Sequence, residues 1–239
     1  MTAETAQQTS VEVVDLARTS LSELNGRLHR LAGGAPGPRH WRVLNPNGAH
    51  AVACGLDAEV EVEIEGHVGY YCAGMNKRAT VRVHGNASTG VAENLMSGQL
   101  VVDGNASQSA GASGHGGLLI VHGDASARCG ISMKGIDIVV GGSVGHLSAF
   151  MAQTGRLVVC GDAGDALGDS IYEARIYVRG EVAGLGADCV EKDVRDHHLA
   201  ELRDLLDRAG IAGVDPADFR RFGSARRLYN FKVDNAGAY

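Results

Sequence analysis

The chain has 239 residues, is 44% hydrophobic and 21% charged, carries a net charge of -6 and contains 34 glycines. Mild acidity with no basic run in the central part argues against nucleic acid as the main partner, and no apolar run approaches the roughly 18 residues needed to span a bilayer. The polar start MTAETAQQTS lacks a signal-peptide pattern, and five cysteines without a C-x-x-C pair read as reduced thiols, so a soluble, cytoplasmic protein is expected.

In chain order, residues 1–12 are polar and patternless and read as disordered. Residues 13–40 read as a helix and loop. Ser20 with Glu23 has the spacing of a capping box, Leu21, Leu24, Leu28 and Leu31 line one helical face, and Gly33-Gly34 ends it ahead of Pro36 and Pro38. Residues 41–190 read as one solenoid, whose opening segment WRVLNPNGAHAVACG is a degenerate rung with Val43 ahead of a turn at Asn47-Gly48.

From 61 to 180 a glycine recurs every 19 residues, at Gly66, Gly85, Gly104, Gly123, Gly142, Gly161 and Gly180. Four residues ahead of each stands an aliphatic side chain, from Val62 to Ile176, and two ahead stands another, from Ile64 to Val178. Alternating Val and Ile ended by Gly is a strand pattern. A fixed period of this size means stacked units, each burying its apolar edge on its neighbours. The leucine-rich signature is absent and 19 is not a multiple of six, which favours an all-β solenoid: a right-handed parallel β-helix of about seven 19-residue coils, with rungs about 4.8 Å apart and capping α-helices at both ends. Asn86, Asn105, Asp124 and Asp162, just after the glycines, are expected to bond their own turn backbone. Cys72 and Cys129 share a column three rungs apart, roughly 14 Å, too far for a disulfide. All five cysteines therefore read as small buried hydrophobes.

Residues 191–239 read as carboxyl-terminal helices and an aromatic, basic tail. EKDVRDHHLAELRDLLDRAG places Val194, Leu199, Leu202, Leu205, Leu206 and Ala209 at helical spacing, in a helix that caps or flanks the far end. DPADFRRFG suggests a second short helix. The final segment, with Phe219, Phe222, Arg226, Tyr229, Phe231 and Tyr239 in or near it, is composed either as a docking segment or as one that folds back along the solenoid.

A solenoid aligns equivalent positions into columns, and three columns carry candidate sites. Three residues before each glycine, Val101, Ile120, Val139, Val158 and Tyr177 form an outward apolar stripe that needs a cover, supplied by this chain's own helices or by another subunit. These five, with Phe222, Arg226, Tyr229 and Phe231, are the interface candidates. One residue before the glycines, His84, Asp103 and His122 stack on adjacent rungs. Their types suit zinc or iron, or a hydrogen-bonded ladder; no second ligand pair has metal-like spacing, and no metal is assigned. Tyr70, Tyr71, Lys77 and Arg78, with His115, Lys134 and Tyr172 recurring at the column of Lys77, suit an anion or an acidic partner, or a solvated face. No nucleophile elbow, P-loop or dinucleotide fingerprint is present, and no catalytic residue is assigned.

The runs GHVGYYCAGMNKRATVRVHGN, GVAENLMSG, HGGLLIVHGDASARCGISMKG, VVGGSVGHLSAFMAQ and GDALGDSIYEARIYVRG resemble the GXGXG β-helix domain that ends the large subunit of glutamate synthase. The likeness covers roughly Val13 to Tyr239. It is nearest to stand-alone versions of that domain, the glutamate-synthase-like β-helix subunit of N-methylglutamate synthase (methylamine–glutamate N-methyltransferase); the β-helix subunit of formylmethanofuran dehydrogenase is more distantly similar. The resemblance implies a non-catalytic scaffold subunit of a hetero-oligomer that forms N-methylglutamate from methylamine and glutamate. Its expected partners are a glutaminase-like subunit and an FMN-barrel subunit. The chain begins Met1-Thr2 and has no barrel pattern or cysteine cluster, so FMN and an iron–sulfur cluster are expected on those partners and no cofactor on this chain alone. The alternatives are a cofactor- or substrate-binding subunit like the formylmethanofuran relative, and a self-sufficient β-helix enzyme.

Overall fold

A computed structural model describes residues 11–226. Nine strands stack in parallel: β1 (Val11–Asp15), β2 (His40–Leu44), β3 (Glu61–Glu65), β4 (Thr80–Val83), β5 (Gln99–Val102), β6 (Leu118–Val121), β7 (Lys134–Val140), β8 (Thr154–Val159) and β9 (Arg175–Val178). The seven from β3 to β9 are the 19-residue rungs. Their inward residues keep one register, with Val62 opposite Val81, Val81 opposite Leu100, and so on to Ile176, and the one shift, between Lys134 and Asp137 of β7, lies ahead of them. An unbroken period leaves no other alignment, because a one-residue slip would turn every inward side chain outward.

All fourteen repeated aliphatic residues are buried. A second line of bridges runs from Val68 through Ala87, Ala106, Ala125 and Val144 to Ala163 and Val182. Here the coils approach so closely that a Cβ on Gly85 would lie 2.7 Å from the backbone of Gly66. Small side chains line this narrow corner for that reason. The corner residues behave differently from the expectation. Asn86, Asn105, Asp124 and Asp162 do not bond their own turn; each accepts the backbone N–H of the next coil.

At the amino-terminal end the solenoid is longer than the repeat predicts. β1 pairs with β2, so residues 11–15 form a rung where disorder and then a helix were expected. The 19-residue register misses it because a helix and loop separate it from β2. That helix, α1 (Leu21–His29), is capped by Ser20 and buries Leu24 and Leu28 in the solenoid core. Asn25 pins it there, donating to the Ala51 carbonyl at 2.8 Å and accepting from Ala53 N–H at 3.0 Å. Residues 1–10 lie outside the described residues.

At the other end, β10 (Cys189–Lys192) leads into α2 (Asp196–Arg208), and the chain returns through a single 3-10 turn at Pro216–Asp218 to β11 (Arg220–Ser224). The second short helix predicted here is that one turn followed by a strand. β9 offers an open edge, and β11 fills it, inserting antiparallel between β9 and β10. Phe222 thereby enters the interior beside Ile176. An antiparallel strand interrupts the parallel ladder, and β10 is left as a short edge strand, which limits further edge pairing. Helix α2 does not sit over this end. It lies along the outer face of the sheet, across β5 to β9.

Candidate functional site

The outer face of the sheet divides into two halves. Over the carboxyl half, Leu202, Leu205, Leu206 and Ala209 in and just after α2, with Phe219, pack on Val101, Ile120, Val139, Val158 and Tyr177. The five stripe residues are 0–7% exposed. The stripe proposed from sequence as an interface is thus covered by the chain's own helix: an amphipathic helix tethered just beyond the last rungs reaches it before any partner must. Phe222, another interface candidate, is likewise buried. Arg226 is exposed, paired with Asp188 and placed over the Tyr172 ring at 5.8 Å. Tyr229 and Phe231 lie outside the described residues.

Sequence reasoning missed the polar clamp that fastens α2. Glu201 accepts from the Tyr177 hydroxyl at 2.8 Å and pairs with Arg175 at 2.7 Å and Arg156 at 3.5 Å, while Arg156 also forks onto Asp137. Burial first, and then the bond to Glu201, push the Tyr177 hydroxyl pKa well above its usual range. The available signal was Tyr177 itself. A phenol in an otherwise aliphatic buried column needs a partner for its hydroxyl.

The amino half of the outer face is open and charged. His40 meets Glu61 at 2.9 Å, Arg42 meets Glu65 at 2.7 Å and Arg82 meets Asp103 at 2.9 Å. Asp103 also accepts from His84 Nδ1 at 2.8 Å and lies 3.3 Å from His122 Nδ1, so the stacked column does form a ladder. Burial works to raise the Asp103 pKa, but the bonds from Arg82 and His84 outweigh it and hold the carboxyl below its ordinary value. His122 turns its other nitrogen to the Ala209 carbonyl, 3.4 Å away. Glu63 and Glu65, not His122, come together with His84.

The third constellation splits in the same way. Lys77, His115, Lys134 and Tyr172 do share one exposed corner column, with Met96 and Gln153 between them, over about 24 Å. Lys77 and Arg78 are already committed to Asp57, the latter through two bonds at 2.7 and 3.2 Å to one carboxylate oxygen. Tyr70 stacks on His50 with centroids 4.6 Å apart. Tyr70, Tyr71 and Met75 remain about half exposed. Met96, which the sequence pattern did not single out, adds an apolar side chain to the same corner.

The thiols contribute no site. Cys72 and Cys129 are fully buried, and burial pushes their pKa up to about 12. Thiols so disfavoured as thiolates are poor nucleophiles and poor metal ligands. Two depressions open on the surface, about 170 Å³ beside Arg39, His40 and Arg78 and about 320 Å³ beside Asp137, Arg156 and Arg175.

A continuous aliphatic interior with its polar chemistry on open outer faces defines a parallel β-solenoid that presents surfaces. The chain is 61% identical to Protein GlxC of Rhizobium meliloti (strain 1021) over 227 residues, which cover 95% of this chain and 99% of that relative. It belongs to the GlxC family. No family model matches it. Among the described residues no helix is long and apolar enough to cross a membrane.

Proposed function

We propose that this chain is the non-catalytic β-helix subunit of a glutamate-synthase-like complex, N-methylglutamate synthase, in which a glutaminase-like subunit and an FMN-barrel subunit with an iron–sulfur cluster carry the chemistry. One observation supports the scaffold reading: the core runs unbroken from Val14 to Phe222, so side chains fill the interior and leave only the outer faces for function. What remains for function is surface. The exposed corner column from Lys77 through Met96, His115 and Lys134 to Tyr172 mixes apolar and cationic side chains, which suits an acidic partner surface.

The choice of complex rests on the motif resemblance, with the near full-length match to Protein GlxC in support. The test is co-expression with FMN-barrel and glutaminase-like chains from the same source. A stable complex that forms N-methylglutamate from methylamine and glutamate, and loses both assembly and activity when this chain is omitted, is the expected result. A complex that assembles and turns over equally well without it sinks the proposal.

A further inference from the structure

The open half of the outer face brings together three ligand-type side chains from adjacent rungs. We propose that Glu63, Glu65 and His84 bind a divalent transition-metal ion, with zinc as the probe ion. Glu63 and Glu65 alternate along β3 and so point to the same face. His84 follows β4 and stands one rung on, opposite Glu65 by extension of the Ile64–Val83 pairing. One ligand atom from each of the three lies within 4.8 Å of the others. A tetrahedral ion with bonds of about 2.1 Å needs its ligand atoms about 3.4 Å apart, a distance that small rotations of two long carboxylate side chains supply.

The orientation of His84 carries the inference. Its Nδ1 faces Asp103 Oδ2 at 2.8 Å, and Asp103 is itself held by Arg82, so Nδ1 bears the proton that this bond uses. Nε2 is then the ring's outward nitrogen, and it faces Glu63 Oε2 at 3.8 Å. A cation between that nitrogen and the carboxylate, whether metal ion or proton, makes the approach favourable. A carboxylate that fixes the far nitrogen of a ligating histidine is the usual support for a metal-bound imidazole. Glu65 gives one oxygen to Arg42 and, with further lone pairs available, can still reach the ion. Imidazole with two carboxylates suits zinc-like divalent ions, and three protein ligands leave a coordination position open to an exchangeable group. A proton on Nε2 is the rival occupant of that gap, and the experiment separates the two.

The untagged full chain would be titrated with Zn²⁺ against a chromophoric chelator, and with Co²⁺ by visible absorption. The expected result is one equivalent bound with micromolar or tighter Kd, weakened at least tenfold in His84→Ala and in Glu63→Gln/Glu65→Gln. Asp103→Asn, a positioning variant, should weaken it about 10- to 100-fold. His146→Ala, on an exposed histidine elsewhere, and Cys54→Ser should leave it unchanged. The two glutamates are surface side chains, so their variant decides the matter even if His84→Ala misfolds. No stoichiometric binding, as a protonated His84 would give, overturns the proposal. So does binding that survives the double glutamate change or vanishes with Cys54→Ser.

Discussion

Asn86 Oδ1 accepts the backbone N–H of Asn105 at 2.8 Å, one coil further along. Asn105 does the same for Asp124, Asp124 for Ser143, Ser143 for Asp162 and Asp162 for Glu181, all at 2.8–3.0 Å. The line therefore adds side-chain bonds to the backbone bridges that join the coils at this corner. Asparagine, aspartate and serine all occupy it, since each offers an oxygen one or two bonds from Cβ. Asn105→Asp should be nearly neutral, whereas Asn105→Ala should cost about 0.5–1.5 kcal/mol, read as a shift in urea midpoint. Equal losses for both changes would show that the carboxamide nitrogen, not the acceptor, matters.

The glycine one residue earlier is coupled to this line. A Cβ on Gly104 would lie 2.2 Å from Asn86 Oδ1 and 2.9 Å from the Gly85 carbonyl oxygen. Gly104→Ala should destabilise by about 2–4 kcal/mol through overpacking and the lost Asn86 bond. Gly210→Ala is the contrast, because nothing lies within 4 Å of that site and only its positive φ of 68° opposes the change, at about 1 kcal/mol. Comparable losses at the two sites would mean that coil spacing relaxes more easily than the contacts imply.

The repeat made the fold legible. Fourteen aliphatic positions and seven glycines in one register admit a single stacking, and the structure follows it from Val62 to Val178. What the period could not show is whatever breaks it. Rung β1 is cut off from β2 by α1, and β11 runs against the stack. The apolar stripe was legible as well, but its cover was not. Amphipathic α2 and a partner subunit satisfy the same hydrophobic requirement, and only the path of the chain decides between them. Polar pairings such as Tyr177 with Glu201 join residues 24 apart with no period to link them.

Removing that pairing tests what holds α2 in place. Tyr177→Phe keeps the packing and loses one hydrogen bond, at about 1 kcal/mol. Glu201→Ala leaves the buried Tyr177 hydroxyl without its acceptor and should cost about 1–3 kcal/mol. Amide exchange across 196–208 should speed up in Glu201→Ala well before the rungs from β3 to β5 respond. Exchange that rises uniformly over the whole chain would mean that α2 and the solenoid unfold as one unit.

Helix α2 also carries a pH dependence. His198, 6% exposed, accepts the Arg195 N–H through Nδ1 at 3.0 Å, which requires a neutral ring. Burial first, then Arg221, His197 and Arg175, lower its pKa below 6.5, with Glu201 opposing them. In the window below 6.5 the unfolded chain therefore binds more protons than the folded one, and stability falls as pH drops through it. The urea midpoint should decline between about pH 7.5 and about pH 5, and His198→Gln should flatten that decline. An unchanged slope in the variant would assign it to other groups.

The covered stripe and the open corner make opposite predictions for assembly. Val139 is buried beneath α2, so Val139→Asp should destabilise the isolated chain by more than about 3 kcal/mol. Any loss of complex would follow from that. Lys134 and Tyr172 are exposed on the corner, where Lys134→Glu or Tyr172→Ala should change stability by less than about 0.5 kcal/mol. If the corner docks a partner, the same two changes should each weaken co-assembly with the FMN-barrel chain about tenfold or more, near 1.4 kcal/mol. Binding measured by interferometry on folded variants reads this directly. Affinity unaffected by both would move the docking surface to the charged half of the sheet, where Arg42→Glu and Arg82→Glu become the next changes to try.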